Sequence, residues 1–153
     1  MDKIPEVETA KELMTEAMTW SVMKWLREKK RVRKTADQAN AALDRSSQAV
    51  REQWPESVRM VYEALAAQGN GAAATRRRPT GSPTADPSTM LIATQSKEKD
   101  DESYRARMDA EDTFDLAEKQ LSTSLAREGC RKAIYSWELH EKAIRKAETL
   151  IRK

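Results

Sequence analysis

The single histidine and the single cysteine of this sequence are the side chains best suited to catalysis or metal binding. A cysteine nucleophile needs a base within hydrogen-bonding reach, and the ten residues from Cys130 to His140 span about 15 Å along a helix. The basic residues Arg131 and Lys132 follow Cys130 directly and favour its thiolate form. However, no residue that could accept the thiol proton lies within hydrogen-bonding reach. We therefore expect Cys130 to be no nucleophile and His140 to be an exposed helix residue.

Other catalytic and cofactor sites lack their sequence signals. His140 lies in the stretch WELHE, which does not have the Glu-x-x-His spacing that binds metal on helices. A zinc site needs several His or Cys ligands, and phosphate-binding or dinucleotide-binding sites need glycine-rich loops that do not occur here. We predict that the protein is not an enzyme and that it uses no cofactor and no metal.

The densest charge is basic and lies in TWSVMKWLREKKRVRK, residues 19–34, with seven Lys or Arg and one Glu. A helix over this stretch would place Met18, Val22, Trp25, Leu26 and Val32 on one arc. Three interpretations stay open: a packed amphipathic helix with a solvated rim, a helix that binds an anionic partner, or a helix on a membrane surface, which needs a free apolar face. The candidate anion-binding residues are Lys24, Arg27, Lys30, Arg31, Arg33 and Lys34, with Arg131 and Lys132 further along the chain.

An acidic run lies in the second half of the chain, at Asp109, Glu111, Asp112, Asp115 and Glu118. No glycine-containing calcium loop accompanies it, so a calcium site is not predicted. We interpret Glu111, Asp112 and Asp115 as an acidic docking face for a basic surface.

The composition predicts helices throughout, because 35% of the residues are charged, 5% are aromatic and good helix formers dominate. Between residues 6 and 68 there is one proline and no glycine, and apolar or small residues recur every three or four positions. This series shifts at Pro55, which removes a backbone hydrogen bond. The first 68 residues are therefore a helical arm with a kink at 54–55.

Residues 69–95 contain three of the five prolines and three of the four glycines, which is typical of a flexible, disordered linker. Pro87 within it is also a plausible helix start. A second helical arm is predicted over 96–153. Gly129 interrupts its apolar stripe, either as a break or as a glycine that allows close helix packing.

Two arms of similar length predict an all-α fold in which they form an antiparallel, coiled-coil-like hairpin, with Trp25 near Trp137. This pairing would gather basic residues at one end, where 24–34 lies beside 130–142. The acidic block 98–118 would lie beside 46–68. Packing two hairpins end over end would match the charges, so we expect an antiparallel homodimer that forms a four-helix bundle.

The leading functional prediction is a non-enzymatic interaction or structural protein that self-associates. The alternative is a nucleic-acid-binding accessory protein that uses the basic helical patch, and an acidic protein surface is a further possible partner. One cysteine permits no internal disulfide, which favours a reducing compartment. The acidic, polar N-terminus does not resemble a signal peptide, and no apolar run is long enough for a membrane span. A cytoplasmic location is expected.

Overall fold

The computed structural model describes residues 3–68 and 87–151, and the predicted all-α fold is confirmed within them. These residues form five helices: α1 Pro5–Ala17, α2 Val22–Glu52, α3 Glu56–Gln68, α4 Pro87–Gln120 and α5 Thr123–Ile151. None of these helices has an apolar stretch long enough to cross a lipid bilayer.

The first arm is divided at residues 18–21, where the sequence analysis expected a continuous helix. α1 starts at Pro5, with Glu6 and Glu8 in its first turn, where acids favour the helix dipole. Ser21 has an extended backbone and its Oγ accepts a hydrogen bond from Lys24 N–H at 3.2 Å, so it caps the start of α2. The break lets α1 fold back against α2, and Arg45 forms an ion pair with Glu6 at 3.2 Å.

The predicted kink at residues 54–55 is confirmed, and it takes the form of a break between two helices. α2 ends at Glu52, and Pro55 O accepts the backbone N–H of Val58 and of Arg59, which starts α3. Trp54 is buried between the two helices, and its Nε1–H donates to Ala147 O of α5 at 3.0 Å. This hydrogen bond fixes the bend to the core.

The second arm begins earlier than the sequence analysis placed it. α4 starts at Pro87, so residues 87–95 of the predicted linker are helical. The physical reason is that Ala93 is buried in the core and Ile92 packs against it, while Pro87 suits a first helical turn. The remainder of the predicted disordered linker, 69–86, lies outside the described residues.

The second arm turns back on itself at Leu121 and Ser122, which the sequence analysis did not predict. Leu121 has φ 53°, in the left-handed region, and Ser122 N–H donates to Ala117 O at 3.1 Å. This is the Schellman arrangement that ends many helices. Ser122 also starts α5, because its Oγ accepts Leu125 N–H at 3.2 Å.

Gly129 does not break the helix. It lies within α5 against the ring of Phe114 in α4, and a Cβ at position 129 would come within 2.5 Å of that ring. Of the two alternatives, the packing glycine is the one observed. α4 and α5 form an antiparallel hairpin, and this contact lies between them.

The helix directions follow from contacts between named side chains. α2 runs antiparallel to α4, because Arg33 meets Asp115 and Arg107 meets Asp44. α2 runs parallel to α5, because Trp137 Nε1–H donates to Asn40 Oδ1 at 2.9 Å and Trp54 reaches Ala147. α5 contacts α1, α2 and α4 and is the central helix of the core.

The reversal at Leu121 corrects the predicted neighbours of two tryptophans. Trp25 is buried, as expected, but it stacks on Phe114 with ring centroids 5.3 Å apart. Trp137 bonds to Asn40, fifteen residues further along α2, so the expected pairing of Trp25 with Trp137 is wrong. The two residues would meet only if the second arm ran straight to its end.

Candidate functional site

Five cations form a basic stripe on the outer face of α2: Lys24, Arg27, Lys30, Arg31 and Lys34. At 100° per residue these positions cover an arc of about 120° and rise about 15 Å along the helix. The opposite arc, which includes Trp25 and Val32, is buried. The packed face is therefore no longer free for a membrane surface, which the membrane interpretation requires.

The basic stripe has few acidic neighbours. Arg31 Nε pairs with Glu28 Oε2 at 3.2 Å on the same helix, where an exposed pair contributes little. Arg27, Lys30 and Lys34 are exposed and form no ion pair with any residue that the structure describes. Positive charge is therefore left on this face without compensation from other helices.

An indole lies beneath the stripe. Lys24 Nζ is 5.1 Å and the Arg31 guanidinium carbon 5.9 Å from the centre of the Trp20 ring, which places both cations over the aromatic face. Trp20 is 5% exposed, and its Nε1–H has no hydrogen-bond partner among the described residues. The sequence analysis quoted Trp20 but gave it no role. Its place directly before Ser21, the N-cap of α2, is the signal that could have identified it.

The other three candidate cations do not lie on the stripe. Arg33 points toward α4, with Nη2 2.7 Å from Asp115 Oδ1 and Nε 3.0 Å from Glu118 Oε1. Lys132 pairs with Asp109 at 3.1 Å. Arg131 is exposed on α5 and has no ion-pair partner among the described residues.

The three residues of the predicted acidic docking face also lie in different surroundings. Asp115 is already bound by Arg33 of the same chain, Glu111 lines a cleft between α2 and α4, and Asp112 is exposed. The expected segregation of charge within one chain is therefore wrong. The turn at Leu121 places the acids of α4 beside the bases of α2, so complementary charges already meet inside the chain.

His140 is buried, at 7% exposure, so the expectation of an exposed histidine is wrong. Arg107 Nη2 lies 3.5 Å from its Nδ1, and the same guanidinium binds Asp44. Burial lowers the pKa of His140 to about 4, the cations of Arg107 and Arg51 act in the same direction, and Asp44 opposes them. The imidazole is therefore neutral at pH 7 and accepts a hydrogen bond at Nδ1.

Cys130 is fully buried. Burial raises the pKa of its thiol to about 12, and the neighbouring Arg131 offsets only part of that rise. The sequence analysis considered the effect of the cations alone, whereas desolvation is the larger effect. Across residues 3–68 and 87–151, no three His, Cys, Asp or Glu side chains are placed to hold a metal ion.

Comparisons with models of protein families, with curated proteins and with solved structures found no match for this chain.

Proposed function

We propose that the protein is a non-enzymatic helical interaction module whose basic stripe on α2 binds a polyanion, with nucleic acid as the partner. The observation that carries this proposal is the lack of compensation at Arg27, Lys30 and Lys34. The acids that α4 presents to this part of α2, Asp115 and Glu118, pair with Arg33 instead. Uncompensated cations at successive helical turns suit a phosphate backbone, because each contact releases a condensed counterion.

The spacing of the stripe supports a phosphate backbone. Its rise of about 15 Å matches about four phosphate steps of one DNA strand. The packing of Lys24 and Arg31 over Trp20 limits the movement of two of the five cations, so less side-chain entropy is lost on binding. The buried, unpaired thiol of Cys130 supports placing this function in the cytoplasm.

Binding of a fluorescent duplex of about 20 base pairs, titrated with salt, tests the proposal. Contact with four or five phosphates predicts that the logarithm of the association constant falls with the logarithm of salt concentration at a slope of about −4. The triple variant Arg27→Gln, Lys30→Gln, Lys34→Gln should reduce that slope by about 3. No binding at about 50 mM salt would overturn the proposal.

A matched control separates the stripe from net charge. Lys99, Arg105 and Lys119 are exposed on α4 and have no ion-pair partner among the described residues. Changing these three to Gln removes the same formal charge as the stripe variant. We expect the control variant to retain most of the affinity. An equal loss in both variants would show that binding depends on net charge and not on the stripe.

Self-association is the second candidate, and the exposed apolar side chains of α4 favour it. Tyr104 is 57% exposed, Met108 39% and Leu116 44%. We propose that a second copy of this chain would cover this face. Sedimentation at tens of micromolar tests it, and Met108→Glu should shift a dimer to a monomer. A substitution such as Asp115→Lys would be a less suitable test of the dimer, because it would also break the intrachain pair with Arg33.

A further inference from the structure

A cleft separates α2 from α4, and its floor is formed by α5. Its best-enclosed part has a volume of about 260 Å³. Three alanines line it, one from each helix: Ala36, Ala110 and Ala133. A bundle normally fills such a layer with larger side chains, so small residues on all three helices keep the space open.

The floor of the cleft is apolar and aromatic. Phe114 and Trp137 are almost fully buried, and both line the space between the alanines. Trp137 is held in place, because its Nε1–H donates to Asn40 Oδ1. Rigid aromatic and methyl surfaces of this kind suit the apolar body of a small molecule.

The mouth of the cleft carries cations that are already paired and carboxylates that are not. Its two cations already have acidic partners: Arg33 binds Asp115 and Glu118, and Arg107 binds Asp44 through two hydrogen bonds of 2.9 and 3.3 Å. Asp37 on α2 and Glu111 on α4 line opposite walls. Neither carboxylate forms an ion pair or hydrogen bond with the rest of the described chain.

We propose that this cleft binds a small organic amine. Its ammonium group would lie between the carboxylates of Asp37 and Glu111, and its apolar body would contact Phe114, Trp137 and the alanines. A cation is favoured over an anion because the lining and its direct partners comprise five carboxylates and two guanidinium groups. An anion would have to displace Asp44 or Asp115 from its arginine, which costs a charge-assisted pair.

The site is distinct from the basic stripe in position and in charge. Arg33 points to α4 and Asp37 lines the cleft, whereas Arg27 and Lys34, the latter one helical turn from Asp37, face outward. Loss of amine binding and loss of polyanion binding would therefore follow from different substitutions. Either proposal could fail while the other holds.

Phenethylamine is a suitable probe, since it joins an ammonium group to one aromatic ring. Its neutral analogue 2-phenylethanol and its anionic analogue phenylacetate keep nearly the same shape. Binding would be followed in the full chain by the indole N–H resonance of Trp137. We expect a saturable shift with phenethylamine at up to about 10 mM, and at least about tenfold weaker binding of the two analogues.

Substitutions then locate the site. Asp37→Asn with Glu111→Gln should weaken phenethylamine binding by about tenfold or more, which corresponds to about 1.4 kcal/mol. Asp112→Asn is the control for the Glu111 substitution, because Asp112 is exposed beside Glu111 on α4 and does not line the cleft. Ala133→Leu should block binding by filling the space. A circular dichroism spectrum of each variant checks that it is folded.

Several outcomes would overturn the proposal. The first is the absence of any shift at the Trp137 resonance with phenethylamine at about 10 mM, which would show a cleft filled by water alone. The second is equal binding of phenethylamine and 2-phenylethanol, which would show that the carboxylates give no selectivity. The third is unchanged binding in the folded double variant, or an equal loss in the Asp112→Asn control.

Discussion

Gly129 shows how one missing methyl group sets the distance between two helices. The ring of Phe114 occupies the place of the absent Cβ, and that ring is held from other sides by Trp25 and by the guanidinium of Arg33 at 5.9 Å. The sequence could propose a packing glycine, but it could not identify the partner. That partner depends on a turn eight residues earlier.

Gly129→Ala should therefore destabilise the protein, although alanine is the better helix former. The helix gains about 1 kcal/mol from alanine, whereas overpacking costs about 1–3 kcal/mol, so a net loss of up to about 2 kcal/mol is expected. Urea unfolding followed by circular dichroism measures it. In a Phe114→Leu background the same substitution should be neutral or stabilising. Equal effects in the two backgrounds would contradict the contact.

His140 makes stability depend on pH in a window set by its pKa values. The unfolded side chain titrates near 6.5 and the folded one near 4, so the unfolded state binds more protons between these values. Stability contributed by neutral His140 is complete above about pH 6.5 and is lost as the pH falls toward 4. The full loss is on the order of 3 kcal/mol.

His140→Gln is the test of this pH dependence, because the chain has no other histidine. The variant should be less sensitive to pH than the wild type between 6.5 and 4, whatever its absolute stability. Unfolding free energies from urea titrations at several pH values provide the comparison. Parallel curves for the two proteins would show that His140 does not titrate as its burial requires.

At the scale of the helices, the breaks decide which faces meet. The break at Pro55 could be predicted, because proline lacks the N–H that a helix interior needs. The breaks at Ser21 and Leu121 could not be predicted from proline or glycine, since neither is present there. Their only local signal is the serine that caps the next helix, and serine is also common inside helices and in turns.

Leu121→Gly should stabilise the turn between α4 and α5. Leu121 has a positive φ, which an L side chain adopts at a cost of about 1–2 kcal/mol, and its side chain is 59% exposed. Glycine adopts this backbone freely but orders more on folding, so a net gain of about 0.5–1 kcal/mol is expected. Thermal unfolding measures the change. Lys119→Gly, two residues earlier on an exposed helical position, should instead cost about 1 kcal/mol.

At the scale of the whole molecule, the positions of the charges were predicted only in part. The sequence shows which residues are basic and which are acidic, but their pairing depends on where the chain reverses. A straight second arm would leave Arg33 among other bases. The reversal at Leu121 instead gives it two carboxylates, at Asp115 and Glu118. The cleft between α2 and α4 was missed for the same reason, because its walls are far apart in sequence.

One connected core predicts one unfolding transition. The four tryptophans lie at the α1–α2 loop, in α2, at the α2–α3 bend and in α5, and all belong to the same buried cluster. Thermal unfolding followed by tryptophan fluorescence and by far-ultraviolet circular dichroism should therefore give coincident curves. Separate transitions by the two methods would show that α1 or α3 unfolds independently of the rest.

The central position of α5 has a consequence for synthesis on the ribosome. α5 contacts α1, α2 and α4, yet it is the last of these helices to be translated. At a translation rate of about 5–20 residues per second, the apolar faces of α1 and α2 stay uncovered for several seconds until α5 is synthesised. During that interval Val7, Met14 and Val32 have no partner helix from the second half of the chain. The architecture therefore delays the burial of these apolar faces until α5 has been synthesised.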